Sequence, residues 1–424
     1  MELLQQVRII DPVRQVDRIA DVLIGDRRIE QISESLTDYP ASTIVTPASG
    51  LILGTGLVDL YSHSGEPGNE ARETLAQLTL AATAGGFARV GILPDTVPTI
   101  DNITTVAALQ QKCSLLAANL GPNTARLDFW GAAYDPALQQ MNALGELEPK
   151  VIGLTGIHDL GSLQALKQIL EYVQSWQPPV AIALQHNELT EGGVIRSGIE
   201  SVRYGMPGNP SYSEAAIFAA VLEIAAEIPS NLHLMRVATK RGVELIAEAK
   251  ARGVNVTAST TWMHLLWDSS NLSSYSSNLR LEPPLGSKVD RLALENGVRQ
   301  GIIEAIAIDH QAHTYEEKTV SFAQAPPGAI GLELALPLLW QEFVATEKWT
   351  ALELWQALSS RPLQCWQQKP QAIVQGEAAD LVLFAPKQKW ICDRKSLKTP
   401  ASNTPWYSQE ITGKVVRTWT NSAS

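Results

Sequence analysis

Along the 424-residue chain, apolar and polar positions follow two rhythms. Toward both ends the apolar runs are short and interrupted by turn signals. Residues 20–24 and 28–32 flank Gly25-Asp26 and read as a hairpin, after a turn at Asp11-Pro12. Residues 379–386, 389–392 and 413–419 have the same texture, the first run closed by Pro386. Such distant segments can pair into one small sheet domain, here 1–50 with 370–424. Between them apolar strands alternate with amphipathic helices. Strands are expected at 90–93, 151–154, 180–184, 232–237, 254–259 and 304–308. Helices are expected at about 73–84, 162–176, 213–228, 242–252, 288–300 and 331–349, the third opened by Ser213. This succession over 51–369 predicts an α/β fold with a parallel sheet or a (β/α)8 barrel. The stretch 51–60 is one apolar run, expected as a single buried strand. It ends in Tyr61-Ser62-His63-Ser64-Gly65-Glu66-Pro67-Gly68. Tyr61 and His63 are spaced i, i+2 and point to one face, at the strand end where such folds place chemistry.

An apolar content of 45% supports a large core, and a net charge of −11 argues against nucleic acid as a partner. Cys113, Cys365 and Cys392 are scattered and odd in number. They are read as isolated buried residues, not as a disulfide framework or zinc knuckle. The beginning of the chain lacks a basic region followed by an apolar segment, and no run reaches about 18 apolar residues. A soluble cytoplasmic protein with no membrane partner is the expectation.

The strand ends together resemble the dihydroorotases and related cyclic amidohydrolases. In that family an apolar strand ends in Asp-x-His-x-His-x-Arg-x-Pro-Gly, and residues 55–68 are similar to it. Ala84-Gly85-Gly86-Phe87 and Leu93-Pro94-Asp95-Thr96-Val97-Pro98 resemble its Gly-Gly-Phe and Met-Pro-Asn-Thr-x-Pro segments. Leu281-Glu282-Pro283-Pro284-Leu285 resembles Val-Asn-Pro-Pro-Leu. Ile308-Asp309-His310-Gln311-Ala312-His313 resembles Thr-Asp-His-Ala-Pro-His, and residues 327–333 resemble Pro-Gly-x-x-Gly-Leu-Glu. The resemblance implies a (β/α)8 TIM barrel of the metal-dependent hydrolase type, with a small β-sandwich built from both termini.

It also implies a site of one or two metal ions that activate water against a ring amide. His63, His186 and Asp309 match three ligand positions, and Asp309 also matches the proton shuttle. The other positions are lost. Tyr61 stands for a histidine, Gly156 lies where a bridging lysine or acid belongs, and Arg236 takes a further histidine position. The substrate-holding arginine falls on Gly65, and two asparagines fall on Asp95 and Glu282; His313 remains as a substrate contact. Neither metal then keeps three protein ligands, the usual number in a catalytic zinc site. Arg236 is expected to pair with Asp309 and to supply the missing positive charge. His63 taken alone also reads as a hydrogen-bonded strand-end histidine, Asp95 and Glu282 as surface acids, and His158 and His264 as structural. The expectation is a non-catalytic, dihydroorotase-like protein of pyrimidine biosynthesis with no cofactor. Inactive chains of this kind resemble scaffolds that assemble with aspartate transcarbamoylase, and a homo-oligomer is expected. Two other readings stay open: an active cyclic amidohydrolase holding zinc on His63, His186 and Asp309, and a sensor that binds a metabolite at the barrel mouth.

Overall fold

The computed structural model describes residues 1–148, 150–156, 163–183 and 187–421. Its centre is a barrel of eight parallel strands. In spatial order they are Leu57–Ser62, Phe87–Ile92, Arg126–Ala132, Gly153–Gly156, Pro179–Ile182, Asn231–Leu234, Val256–Thr261 and Ala305–Ala307. Seven of these lie in or near stretches whose apolar runs predict strands. Strand Arg126–Ala132 and the helix before it, Ile103–Leu120, are additions to the sequence reading. That helix buries only Val106 and Leu109 among its described residues, so its apolar stripe is faint.

The first and last strands meet at a seam. The His63 N–H donates to the His310 carbonyl at 2.8 Å, and the Asp309 N–H donates to the Tyr61 carbonyl at 3.1 Å. Asp59, fully buried, reinforces the seam. Its Oδ1 accepts the Ile308 N–H at 2.8 Å and its Oδ2 accepts the Ser62 hydroxyl at 2.5 Å. Burial pushes the Asp59 carboxyl up to about 7, against the lowering effect of those two donors.

The two ends of the chain build a seven-stranded sheet in the order Glu410–Trp419, Leu381–Ile391, Ile52–Thr55, Glu2–Asp11, Val16–Gly25 and Arg28–Ser33. Strand Ile44–Pro47 also pairs with Glu2–Asp11. The run at 51–60 is therefore two strands, not one. Ile52–Thr55 belongs to the terminal sheet and Leu57–Ser62 opens the barrel. Gly56 is the break: its N–H donates to the Asp380 carbonyl at 2.8 Å, and its carbonyl accepts the Ser359 hydroxyl at 2.8 Å. Trp355 covers the junction, its Nε1–H on the Thr55 carbonyl at 3.0 Å. A Cβ on Gly54 would sit 2.1 Å from that indole, so only glycine allows the approach. Among the described residues no helix is long and apolar enough to cross a membrane.

Candidate functional site at the barrel mouth

At the C-terminal ends of the strands, five side chains close into one network. Arg236 follows strand Asn231–Leu234 and is 5% exposed. Its loop is fixed residue by residue. The Met235 N–H bonds the Ile182 carbonyl, the Arg236 N–H donates to the Tyr61 hydroxyl at 3.0 Å, and the Val237 N–H bonds the Ser259 carbonyl. The buried Glu214 carboxylate then accepts the Ala238 and Thr239 N–H groups, each at 3.0 Å. Arg236 and Asp309 both adopt a left-handed backbone, φ 55° and 51°. Non-glycine residues hold that conformation only where their surroundings enforce it.

The Arg236 guanidinium points back across the barrel. Nη2 donates to Asp309 Oδ1 at 2.6 Å, the pair expected from the sequence, and lies 2.9 Å from His63 Nε2. His63 Nδ1 is 2.5 Å from Asp95 Oδ2, and His63 Nε2 is 3.4 Å from Asp309 Oδ1. Beneath them Tyr61 is fully buried, its hydroxyl on Ser259 Oγ at 3.0 Å and its ring 5.8 Å from the guanidinium carbon. Tyr61 thus fills the space of a ligand and anchors the residue that replaces another.

Charges in this network settle one another. Burial alone would raise Asp309, but Arg236 and His63 outweigh it and hold the carboxylate well below its usual range. Burial alone would lower His63, but Asp95 and Asp309 push it up to about 9. The protonated ring donates to Asp95 and Asp309. In the neutral ring, Nε2 accepts from Arg236, which fixes the proton on Nδ1. Burial and Asp309 hold the Tyr61 phenol protonated, above its usual value.

A family model described as dihydro-orotase-like matches residues 50–124. The chain is 39% identical to a "probable dihydroorotase-like protein" of Synechocystis sp., covering 97% of this chain and 98% of that one. It is 30% identical to a dihydroorotase of Solibacter usitatus, covering 98% and 95%. The chain belongs to the dihydroorotase-like family. The fold of an L-hydantoinase (dihydropyrimidinase) from Arthrobacter aurescens superposes with a TM-score of 0.85 at 19% identity, covering 100% of this chain and 95% of that one.

Within this family setting, the described residues of the site do not fit a metal ion. The two atoms that would face a first metal, His63 Nε2 and Asp309 Oδ1, both face the Arg236 guanidinium. A protonated His63 has no lone pair for a metal, and a neutral one gives its Nε2 lone pair to Arg236. Asp309 Oδ1 already takes the guanidinium N–H, and the guanidinium repels the ion. Gly156 ends its buried strand with no side chain to bridge. Among the described residues no group of three or more His, Cys, Asp or Glu is arranged to hold a metal. His186, read as a ligand, lies outside the described residues, as does His158.

The positions read as substrate contacts separate. Glu282 lines a cavity of about 60 Å³ at the mouth, together with His63, Arg236, Trp262, His264 and Asp309. Its carboxylate takes the Arg280 Nη2–H at 3.0 Å. Asp95 is spent on His63. His313 is buried, its Nε2–H on the Pro327 carbonyl at 2.8 Å, and it is not among the cavity's lining residues; burial lowers it to about 4. Gly65 has no room for a side chain, because a Cβ would sit 2.5 Å from the Glu73 carbonyl oxygen and 2.7 Å from that of Asn69. The main chain itself fills the place of the lost arginine.

His264, read as structural, also lines the cavity. Its Nδ1 accepts from the Thr261 hydroxyl at 2.8 Å and its Nε2–H donates to the Pro283 carbonyl at 3.1 Å. The residues that sequence reasoning missed are Glu214, Ser259 and Trp262. Glu214 stands in the first turn of helix Tyr212–Glu227, where an acid is ordinarily read as serving the helix dipole. That helix begins one residue before Ser213, with Ser211 at its N-cap.

Proposed function

We propose that this dihydroorotase-like chain is non-catalytic. It would act in pyrimidine biosynthesis as a cytoplasmic, self-associating scaffold for aspartate transcarbamoylase. The observation that carries the first part is the Arg236 guanidinium, set 2.6 Å from Asp309 and 2.9 Å from His63 where the family's chemistry asks for a metal. The closed space at Gly65 supports it, since a carboxylate-bearing substrate has no arginine to bind there. The partner is drawn from the resemblance of inactive dihydroorotase-like chains to scaffolds, which is an analogy of family.

Two measurements test this. Purified protein should carry zinc, iron and manganese well below one equivalent and should not interconvert carbamoyl aspartate and dihydroorotate. Mixed with aspartate transcarbamoylase at micromolar concentration, it should co-sediment as a larger species. Stoichiometric metal with turnover of any cyclic amide would replace this reading with an active amidohydrolase on a reduced site. Independent sedimentation of the two proteins would remove the scaffold role.

A further inference from the structure

We infer that Arg236 is a built-in counter-cation whose guanidinium binds in a cradle that is itself a site for planar cations. This rests on the reading of a metal-free mouth. The cradle has three walls. Asp309 Oδ1 takes the Nη2–H at 2.6 Å, and His63 with Asp95 behind it closes the second side. The Tyr61 ring lies below, 5.8 Å from the guanidinium carbon, a distance at which a ring face attracts a cation. Two carboxylates therefore surround the fixed charge of Arg236 and the protonated His63 ring beside it.

The cation is attached by its side chain, but its place is fixed from elsewhere. Tyr61 holds the backbone N–H of Arg236, and Glu214 holds the next two residues but one. Truncation at Cβ leaves all these bonds in place and leaves the left-handed φ of 55° as it was. What disappears is the charge and the volume of the side chain, which already borders the mouth cavity. Asp309 and Asp95 would then keep only the protonated His63 ring between them, one of their two counter-charges gone, a costly state for partly buried anions. A soluble guanidinium ion has the planar fork that matches a carboxylate. It can enter from the mouth and take the vacated position.

The experiment is chemical rescue. Arg236→Ala is melted in low-salt buffer, in a few millimolar methylguanidinium chloride, and in sodium or tetramethylammonium chloride at the same ionic strength. Without additive it should melt lower than the unmodified protein by roughly 5 °C or more. Methylguanidinium should recover at least half of that loss and the other two salts little. The unmodified protein, its cradle filled, should not respond. An unshifted melting point for Arg236→Ala, or equal recovery with sodium chloride, overturns the inference.

Should Arg236→Ala fail to fold, a cycle of Arg236→Gln, Asp309→Asn and the double variant reads the same coupling. The double variant should be more stable than Arg236→Gln alone, because it removes the uncompensated anion. Additive losses count against the cradle. Metal found in the unmodified protein would defeat the functional proposal, and the cycle would still report whether guanidinium and carboxylate are coupled.

Discussion

The barrel seam and the barrel mouth are built from neighbouring residues of the same two segments. Asp59 and Ser62 on the first strand, with Ile308 and His310 just after the last, make the seam. Tyr61, His63 and Asp309, between or beside them, make the mouth. At the seam the family pattern is intact, and each group satisfies backbone. Asp59 receives the Ile308 N–H, the Ser62 hydroxyl oxygen receives the His310 N–H, and the His310 ring joins buried Glu73 to the Gly331 N–H. At the mouth the pattern is broken, and apart from the Tyr61 hydroxyl, which holds the Arg236 N–H, the groups chiefly balance one another's charge. Buried backbone polar groups have few alternative partners, so the seam tolerates little exchange. A constellation that must only balance its charge can be rebuilt from other residues, as a tyrosine and an arginine have done here.

The largest effect should come from breaking the seam. Asp59→Ala leaves the buried Ile308 N–H and Ser62 hydroxyl without an acceptor and should cost about 3 kcal/mol in urea unfolding. A loss no greater than that of a surface substitution would dissolve the contrast drawn here. Restoring the family's arginine should come next. Gly65→Arg drives a Cβ against the Asn69 and Glu73 carbonyls and should destabilise by about 2 kcal/mol, with no gain in affinity for carbamoyl aspartate. Tight binding of that dianion would reopen the substrate site.

Stability against pH should separate the two regions. Asp59 is raised to about 7, so the folded state keeps a proton that the unfolded chain releases near the ordinary carboxylate value. Its contribution falls as pH climbs from about 4 to 7. His63 is raised to about 9. Its contribution is complete below about 6.5 and is lost as pH climbs to about 9, at about 1 kcal/mol per unit. Asp59→Asn should flatten the lower window and His63→Gln the upper. Superimposable curves for His63→Gln and the unmodified protein above pH 6.5 would show that His63 carries no extra proton. The smallest expected change is in metal content. Arg236→His alone should stay below one equivalent of zinc, because Tyr61 and Gly156 still supply no ligand; a full equivalent by elemental analysis would mean the mouth needs only one reversion.

Periodicity alone placed most of the barrel, because parallel strands covered on both faces read as continuous apolar runs. It missed strand Arg126–Ala132, whose entry carries Arg126 and Asp128. The Asp128 carboxylate pairs with both Arg126 and Arg89, a polar cluster that hides the strand. It also merged two strands across Gly56, since a single glycine does not interrupt an apolar run. At the mouth the substituted positions were legible, because each falls within a recognisable motif. The bonds that replace the chemistry were less so. Asp95 lies 32 positions from His63 and Ser259 lies 198 from Tyr61, and no local spacing relates them.

The pairing of Ile52–Thr55 with Leu381–Ile391 sets a condition on how the chain is made. The ribbon leading into the barrel's first strand pairs early with Glu2–Asp11 but gains its second neighbour only when a segment more than 300 residues later is present. Contacts of such sequence separation form late and slowly. During synthesis the edge of Ile52–Thr55 therefore waits, exposed, for nearly the whole length of the polypeptide. Nascent chains halted before Leu381 should be cut by protease within residues 44–56, and chains extended past Trp419 should resist. Equal resistance at both lengths would mean the ribbon finds shelter earlier.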